Sequence, residues 1–167
     1  MTTRGRVWVF GDNIDTDGII PARYLTTFDA MELGAHCMED VDAEFPSKVR
    51  PGDILVAGKN FGCGSSREHA VIALKGAGIS AVLAESFARI FFRNAINTGL
   101  LLLEAEGVRD LFDVGDTVSV DAKSGMIVNE TKGRSLTAKP IPTFIQEILD
   151  AGGLMEYARK KLHADAR

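Results

Sequence analysis

The sequence predicts an α/β fold in three layers, with a mixed and at least partly parallel sheet covered by helices. Three observations carry this. Apolar runs at 54–58, 80–85 and 100–105 are separated by stretches with helical periodicity. Beyond residue 106 the pattern changes to short β-like stretches broken by turns. The 167 residues, 46% of them hydrophobic, suffice to bury one ordinary core, so a single domain spanning 1–167 is expected.

Taken in order, "RGRVWVF" (4–10) alternates and is rich in β-formers, which predicts the first strand. "GDNIDTDGIIP" then reads as a turn-rich loop that Pro21 helps to keep from becoming a helix. "DAMELGAHCMEDVD" (29–42) predicts a short helix running into an acidic loop, and "SKVRPGD" a turn into the strand "ILVAG" (54–58). From Ser66 a helix places Ala70, Val71 and Leu74 on one side and stops at Gly76 and Gly78. "SAVLAE" is a second buried strand, and "SFARIFFRNAINTG" a helix with Ser86 as its expected cap. "LLLLEA" is a third strand, and this strand-helix-strand-helix-strand order implies parallel pairing. Residues 115–140 predict antiparallel strands turning at Lys123-Ser124-Gly125 and Lys132-Gly133. Two closing helices are expected in 142–162, divided at Gly152-Gly153.

Charge narrows the function classes. Nineteen Lys and Arg against 23 Asp and Glu give a net charge of −4, and neither sign forms a block of the kind that marks a nucleic-acid or membrane surface. The most apolar stretch, around "GISAVLAESF", meets Glu85 well short of the ~20 residues a membrane helix needs. The two cysteines, Cys37 and Cys63, provide neither a disulfide framework nor enough thiolate for a zinc or iron–sulfur site of the chain's own, and reduced cytoplasm is the expected setting.

The chemistry concentrates in "GKNFGCGSSREHA" (58–70), between a strand and a helix. Gly58, Gly62 and Gly64 allow tight turns and close approach of backbone N–H groups to an anion, in front of the positive end of the helix that follows. The spacing is neither a P-loop nor a dinucleotide fingerprint. Arg67 stands at the helix start, where a cation opposes the dipole; its guanidinium fits a ligand carboxylate, with Glu68 or Glu85 as alternative structural partners. Ser65 and Ser66 fit two roles. They can cap the helix, the commoner use of serine, or one can act as an alkoxide that exchanges a proton with carbon in a positive environment. Cys63 reads as a small filler, His69 as structural, and Asp12, Asp15 and Asp17 lack the closing Glu and spacing of an EF-hand.

Three motifs, "GDNIDTDGIIPARYL", "GKNFGCGSSREHA" and "SFARIFFRNAINTGL", in this order and spacing, make residues 5 to about 160 resemble the small subunits of 3-isopropylmalate dehydratase in their short form. These are the swivel domains of the aconitase family. The resemblance implies a three-layer swivelling β/β/α domain like the C-terminal domain of aconitase, docking on a large subunit that carries a [4Fe-4S] cluster. It implies that Ser65 is the catalytic base and that Ser66 and Arg67 bind substrate carboxylate. Cys63, where mitochondrial aconitases carry an acidic residue, is not expected to be essential. The reaction implied is dehydration followed by rehydration of a hydroxy-dicarboxylate, active only with the large subunit.

The segment Arg23, Tyr24, Leu25, Thr26 and Thr27 is implied to line the pocket for the substituent that distinguishes substrates. Leu25 offers an apolar surface for an isopropyl group, whereas Arg23 keeps a second carboxylate, as in homocitrate, in play. Homoaconitase and 2,3-dimethylmalate dehydratase small subunits are the enzymatic alternatives. An RNA-associated or structural aconitase-like protein is the non-enzymatic one, against which the acidic balance argues.

Overall fold

Strands of four to eight residues and seven α-helices make up the chain in the computed structural model, which describes residues 2–65 and 67–165. One seven-stranded sheet runs through it in the order β4-β3-β2-β1-β5-β6-β7. β1 (Thr2–Val9), β2 (Ile54–Ala57), β3 (Ala81–Ala84) and β4 (Leu101–Glu104) pair in parallel, with Val7 beside Ile54, Ile54 beside Ala81, and Ala81 beside Leu101. β5 (Thr117–Asp121), β6 (Met126–Asn129) and β7 (Arg134–Thr137) continue from β1 as an antiparallel meander.

The apolar runs become central strands because both of their faces are covered, as parallel sheets require. Leu55, Ala57, Val82, Ala84 and Leu102 point to one side, where they join Ala70, Val71, Ala73 and Leu74 of α4 (Glu68–Gly76) and Leu33 of α2 (Ala30–Gly34). Ile54, Val56, Ala81, Leu83, Leu101 and Leu103 point to the other. There they meet Val118, Val120 and Ile127 of the antiparallel strands and Ile148 and Leu149 of α6 (Thr143–Ala151). The sheet thus curls over itself, which gives the expected three layers. Each buried valine, leucine or isoleucine among them contributes about 1.5–3 kcal/mol by leaving water.

Two buried polar groups pin the layers. Asp53 accepts hydrogen bonds from Trp8 Nε1 at 2.9 Å, Arg6 Nη2 at 3.0 Å and the Arg50 N–H at 2.9 Å. Asn129 donates from Nδ2 to the Leu111 carbonyl and to Asp116 Oδ2, both at 2.8 Å.

Several local expectations are corrected. The loop after β1 contains a helical turn, α1 (Thr16–Ile19), because Asp15 Oδ1 caps it through the Gly18 N–H at 2.7 Å. The run before β2 holds another, α3 (Phe45–Lys48), with a proline in its first turn. α4 starts at Glu68 with Arg67 in the cap position and no side-chain cap, so Ser65 does not cap it. Ser86 does not cap α5 (Arg89–Thr98) either; its Oγ accepts from the Asn60 N–H at 2.8 Å and its carbonyl from the Phe61 N–H at 3.0 Å. The closing helices are α6 and α7 (Leu154–Asp165), divided as expected at Gly152 and Gly153.

Candidate active site

Parallel strands deliver the loops that follow them to one edge of the sheet, at the strands' carboxyl ends, which is where open α/β sheets bind ligands. Here the segments after β1, β2 and β3 meet. The Thr16 N–H donates to the Cys63 carbonyl at 2.9 Å and the Gly62 N–H to the Ile14 carbonyl at 2.7 Å. On the other flank the Ala88 N–H donates to the Phe61 carbonyl at 2.9 Å. The glycine-rich loop is therefore stitched between its two neighbours.

Gly62 and Gly64 have φ of +84° and +94°, and a Cβ on Gly62 would lie 2.2 Å from the Phe91 ring. Only glycine allows the loop to lie against α5 in this way. The expected anion cradle of amides is only partly available. The N–H groups of residues 59–62 go to Asp12 Oδ1, Ser86 Oγ, and the Ser86 and Ile14 carbonyls. What this edge offers an anion is side chains and the positive end of the nine-residue α4.

A cleft of about 290 Å³ opens at this edge, lined by Thr16, Gly62, Gly64, Ser65, Arg67 and, from the α5 side, Ala88, Arg89, Ile90, Phe91 and Asn94. Ser65 is exposed on its wall and Arg67 is partly buried. Ser66 lies outside the described residues. Arg67 Nη1 donates to Asp17 Oδ1, so the partner of the guanidinium is neither Glu68 nor Glu85. Glu85 Oε1 accepts from the Gly107 N–H. The two other aspartates of the motif are also committed, Asp12 to the Lys59 N–H and Asp15 to α1.

Residues 23–27 do not line this cleft. Arg23 is clamped by Glu39 at 2.6 Å and Asp40 at 2.8 Å and lies 4.9 Å over the Tyr24 ring, and its hydrogen bond to Asp40 foremost holds its pKa up. The Tyr24 hydroxyl donates to Glu39 at 2.5 Å, and its ring stacks on His36. Leu25 packs against the core, Thr26 is exposed, and Thr27 Oγ1 accepts from the Asp29 N–H at 3.0 Å. The segment ends beside the site: Phe28 stacks on His69, two residues after Arg67, with ring centroids 4.2 Å apart.

The cysteines are poor nucleophiles. Burial drives the Cys37 thiol far up, and burial together with the Asp15 charge pushes Cys63 up, so both stay protonated near neutral pH. Among the described residues no group of three or more His, Cys, Asp or Glu is placed to hold a metal ion, and no helix is long and apolar enough to cross a membrane.

Arg89 and Asn94 were not singled out from the sequence, and Asp17 was weighed there only as part of a calcium loop, not as the partner of Arg67. Arg89 carried a usable signal, a cation at a helix start, the same anomaly that marks Arg67.

The curled mixed sheet with its site on the glycine-rich loop defines an aconitase-type C-terminal domain, and the Aconitase C-terminal domain family matches residues 36–107. A 3-isopropylmalate dehydratase small subunit from Thermodesulfovibrio yellowstonii is 60% identical over 97% of this chain and 96% of its own. An isopropylmalate/citramalate isomerase small subunit from Methanocaldococcus jannaschii is 57% identical over 95% of each. The crystal structure of 3-isopropylmalate dehydratase from M. jannaschii superposes with a TM-score of 0.94 at 49% identity, covering 99% of this chain and 98% of the other. The chain belongs to the family of 3-isopropylmalate dehydratase small subunits.

Proposed function

We propose that this chain is the small subunit of a hydro-lyase that interconverts 2-isopropylmalate and 3-isopropylmalate in leucine biosynthesis, working with a large subunit in the cytoplasm. Residues 1–167 serve it as one swivel domain. The observation that carries the reading is the cleft in which Ser65 and Arg67 stand together at the carboxyl end of the parallel strands, in a chain with these relatives.

Isomerisation of a hydroxy-dicarboxylate by dehydration and rehydration needs a proton removed from carbon next to a carboxylate and then returned at the neighbouring carbon. Ser65 is the group for that transfer. The Arg67 charge and the positive end of α4 favour its alkoxide, and a short hydroxyl side chain on a braced loop can be held at a fixed place. Arg67, anchored through Nη1 to Asp17, presents its remaining N–H donors to the substrate carboxylate, with Ser66 assigned to the same carboxylate. Holding the carboxylate aligns the carbon with Ser65 and removes an entropic cost from the step.

The residues of this chain do not fit an iron–sulfur cluster: Cys37 is buried in the core and Cys63 stands alone. We therefore assign the [4Fe-4S] cluster, and with it the departure of the hydroxyl, to the large subunit.

Residues Arg23, Tyr24, Leu25, Thr26 and Thr27 are assigned to the substituent's side of the pocket in the assembled enzyme. Leu25 can receive a branched alkyl group. With Arg23 tied to Glu39 and Asp40, the segment offers no uncommitted cation for the additional carboxylate of homocitrate. The test is anaerobic reconstitution with the cognate large subunit. The pair is expected to turn over isopropylmalate with higher kcat/KM than homocitrate, dimethylmalate or citramalate, and the small chain alone to be inactive. A preference for homocitrate or dimethylmalate overturns the substrate, and activity of the chain by itself overturns the two-subunit account. Equimolar copurification with RNA in place of a large subunit would favour the non-enzymatic reading.

A further inference from the structure

Arg89 lines the same cleft as Ser65 and Arg67 and has no role in the functional reading above. It opens α5, a ten-residue helix, where its charge opposes the dipole, and it is exposed. Among the described residues it makes no ion pair. Glu104 shares an adjoining hollow with Arg89, Phe87 and Phe92. Both Glu104 oxygens are engaged, Oε1 by the Phe87 N–H at 3.2 Å and Oε2 by Lys139 at 3.3 Å. A guanidinium placed against the dipole, beside a carboxylate already taken, is poorly explained by the stability of the chain.

The charge balance of the cleft explains it better. Its lining side chains Thr16, Ser65 and Asn94 are neutral, and the charge of Arg67 is matched by Asp17. Without Arg89 the described lining would be close to neutral, yet an isopropylmalate brings two carboxylates into a site that docking withdraws from water. Ile90, 50% exposed on the same rim, provides an apolar surface that a docking partner would cover, strengthening any charge interaction beneath it.

We propose that Arg89 is a second substrate-binding cation, holding a carboxylate of the hydroxy-dicarboxylate from the α5 side while Arg67 holds it from the α4 side. This rests on the functional reading above. Two forks delivered by two different helices would fix the rotation of the substrate in the cleft, which one fork cannot do.

The test compares wild type, Arg89→Gln, Arg89→Lys and Arg93→Gln, each reconstituted with the large subunit. Arg93 is an exposed residue of the same helix outside the lining, and so a control. KM and kcat are measured for whichever of isopropylmalate, citramalate, homocitrate and dimethylmalate the wild type prefers, together with subunit affinity and Tm. Arg89→Gln is expected to raise KM at least about tenfold, equivalent to ~1.4 kcal/mol, with affinity and Tm unchanged. Arg89→Lys should recover part of the loss, and Arg93→Gln should match wild type. An active wild type with KM for Arg89→Gln within twofold overturns this inference alone. So does a loss that follows subunit affinity or Tm, which would make Arg89 a docking or structural residue. A wild-type pair inactive on all four substrates overturns the functional reading and this inference with it.

Discussion

Arg67 and Asp17, 50 residues apart in sequence, are joined by a hydrogen-bonded ion pair that ties the loop after β2 to the loop after β1. The pair occupies Nη1, and among the described residues no hydrogen bond takes Nε or Nη2. Asp17 is 61% exposed, so its worth to folding is small, whereas its control over where the fork points is direct.

Asp17→Ala is therefore expected to change stability by less than about 1 kcal/mol and to lower kcat/KM of the reconstituted enzyme about tenfold through loss of orientation. Chemical denaturation and steady-state kinetics on the same preparation measure both. Full activity in the variant would show that Arg67 needs no brace.

Arg67→Lys keeps the charge and loses the fork. A fall in kcat/KM of about ten- to a hundredfold is expected, as for losing one hydrogen bond to a charged group, with assembly intact. If lysine supports wild-type kinetics, the contact is with charge alone.

The core was legible in the sequence because its central strands are covered on both faces. Ile54–Ala57 and Ala81–Ala84 are uninterrupted apolar runs, and the positions of α4 that meet them follow a helical period. α1 was hidden because its cap, Asp15, sits in a string of aspartate and glycine that reads as turn. Ser86 has the right residue type for a cap in the right place, but the neighbouring loop takes its hydroxyl and carbonyl. In the site, local chemistry marked Arg67 and left Ser65 between cap and base, the family resemblance alone implying the base, whereas the role of Asp17 depends on strand order bringing two distant loops together. The commitment of Arg23 to Glu39 and Asp40 likewise required the turn after α2 to fold back on the segment.

Away from the site, Asn129 is the polar link of the antiparallel meander. Asn129→Leu removes its bonds to the Leu111 carbonyl and to Asp116, and a loss of about 1–3 kcal/mol in denaturant unfolding is expected. Asp116 is held below the usual carboxylate range, first by the Asp113 N–H and then by Asn129 and Lys132. A carboxylate whose pKa is lowered in the fold contributes stability above its unfolded pKa of about 3.9, and that contribution is lost as pH falls through the folded value. The wild type should therefore lose stability in acid below about pH 4 more steeply than Asp116→Asn. Identical acid profiles would rule out this linkage.

The central claim is that Ser65 moves the proton to and from carbon, and the most direct measurement is isomerisation in deuterium oxide by the anaerobically reconstituted enzyme, followed by NMR at the reacting carbon. Ser65→Ala is expected to assemble with the large subunit at wild-type affinity while turnover and deuterium incorporation fall by about a hundred- to ten-thousandfold, the range for removing a positioned acid–base group. Cys63→Ala should stay near wild type, because the Cys63 thiol is pushed up and remains neutral. A Ser65→Ala enzyme that still incorporates deuterium at close to the wild-type rate, or a Cys63→Ala enzyme that does not, contradicts the assignment.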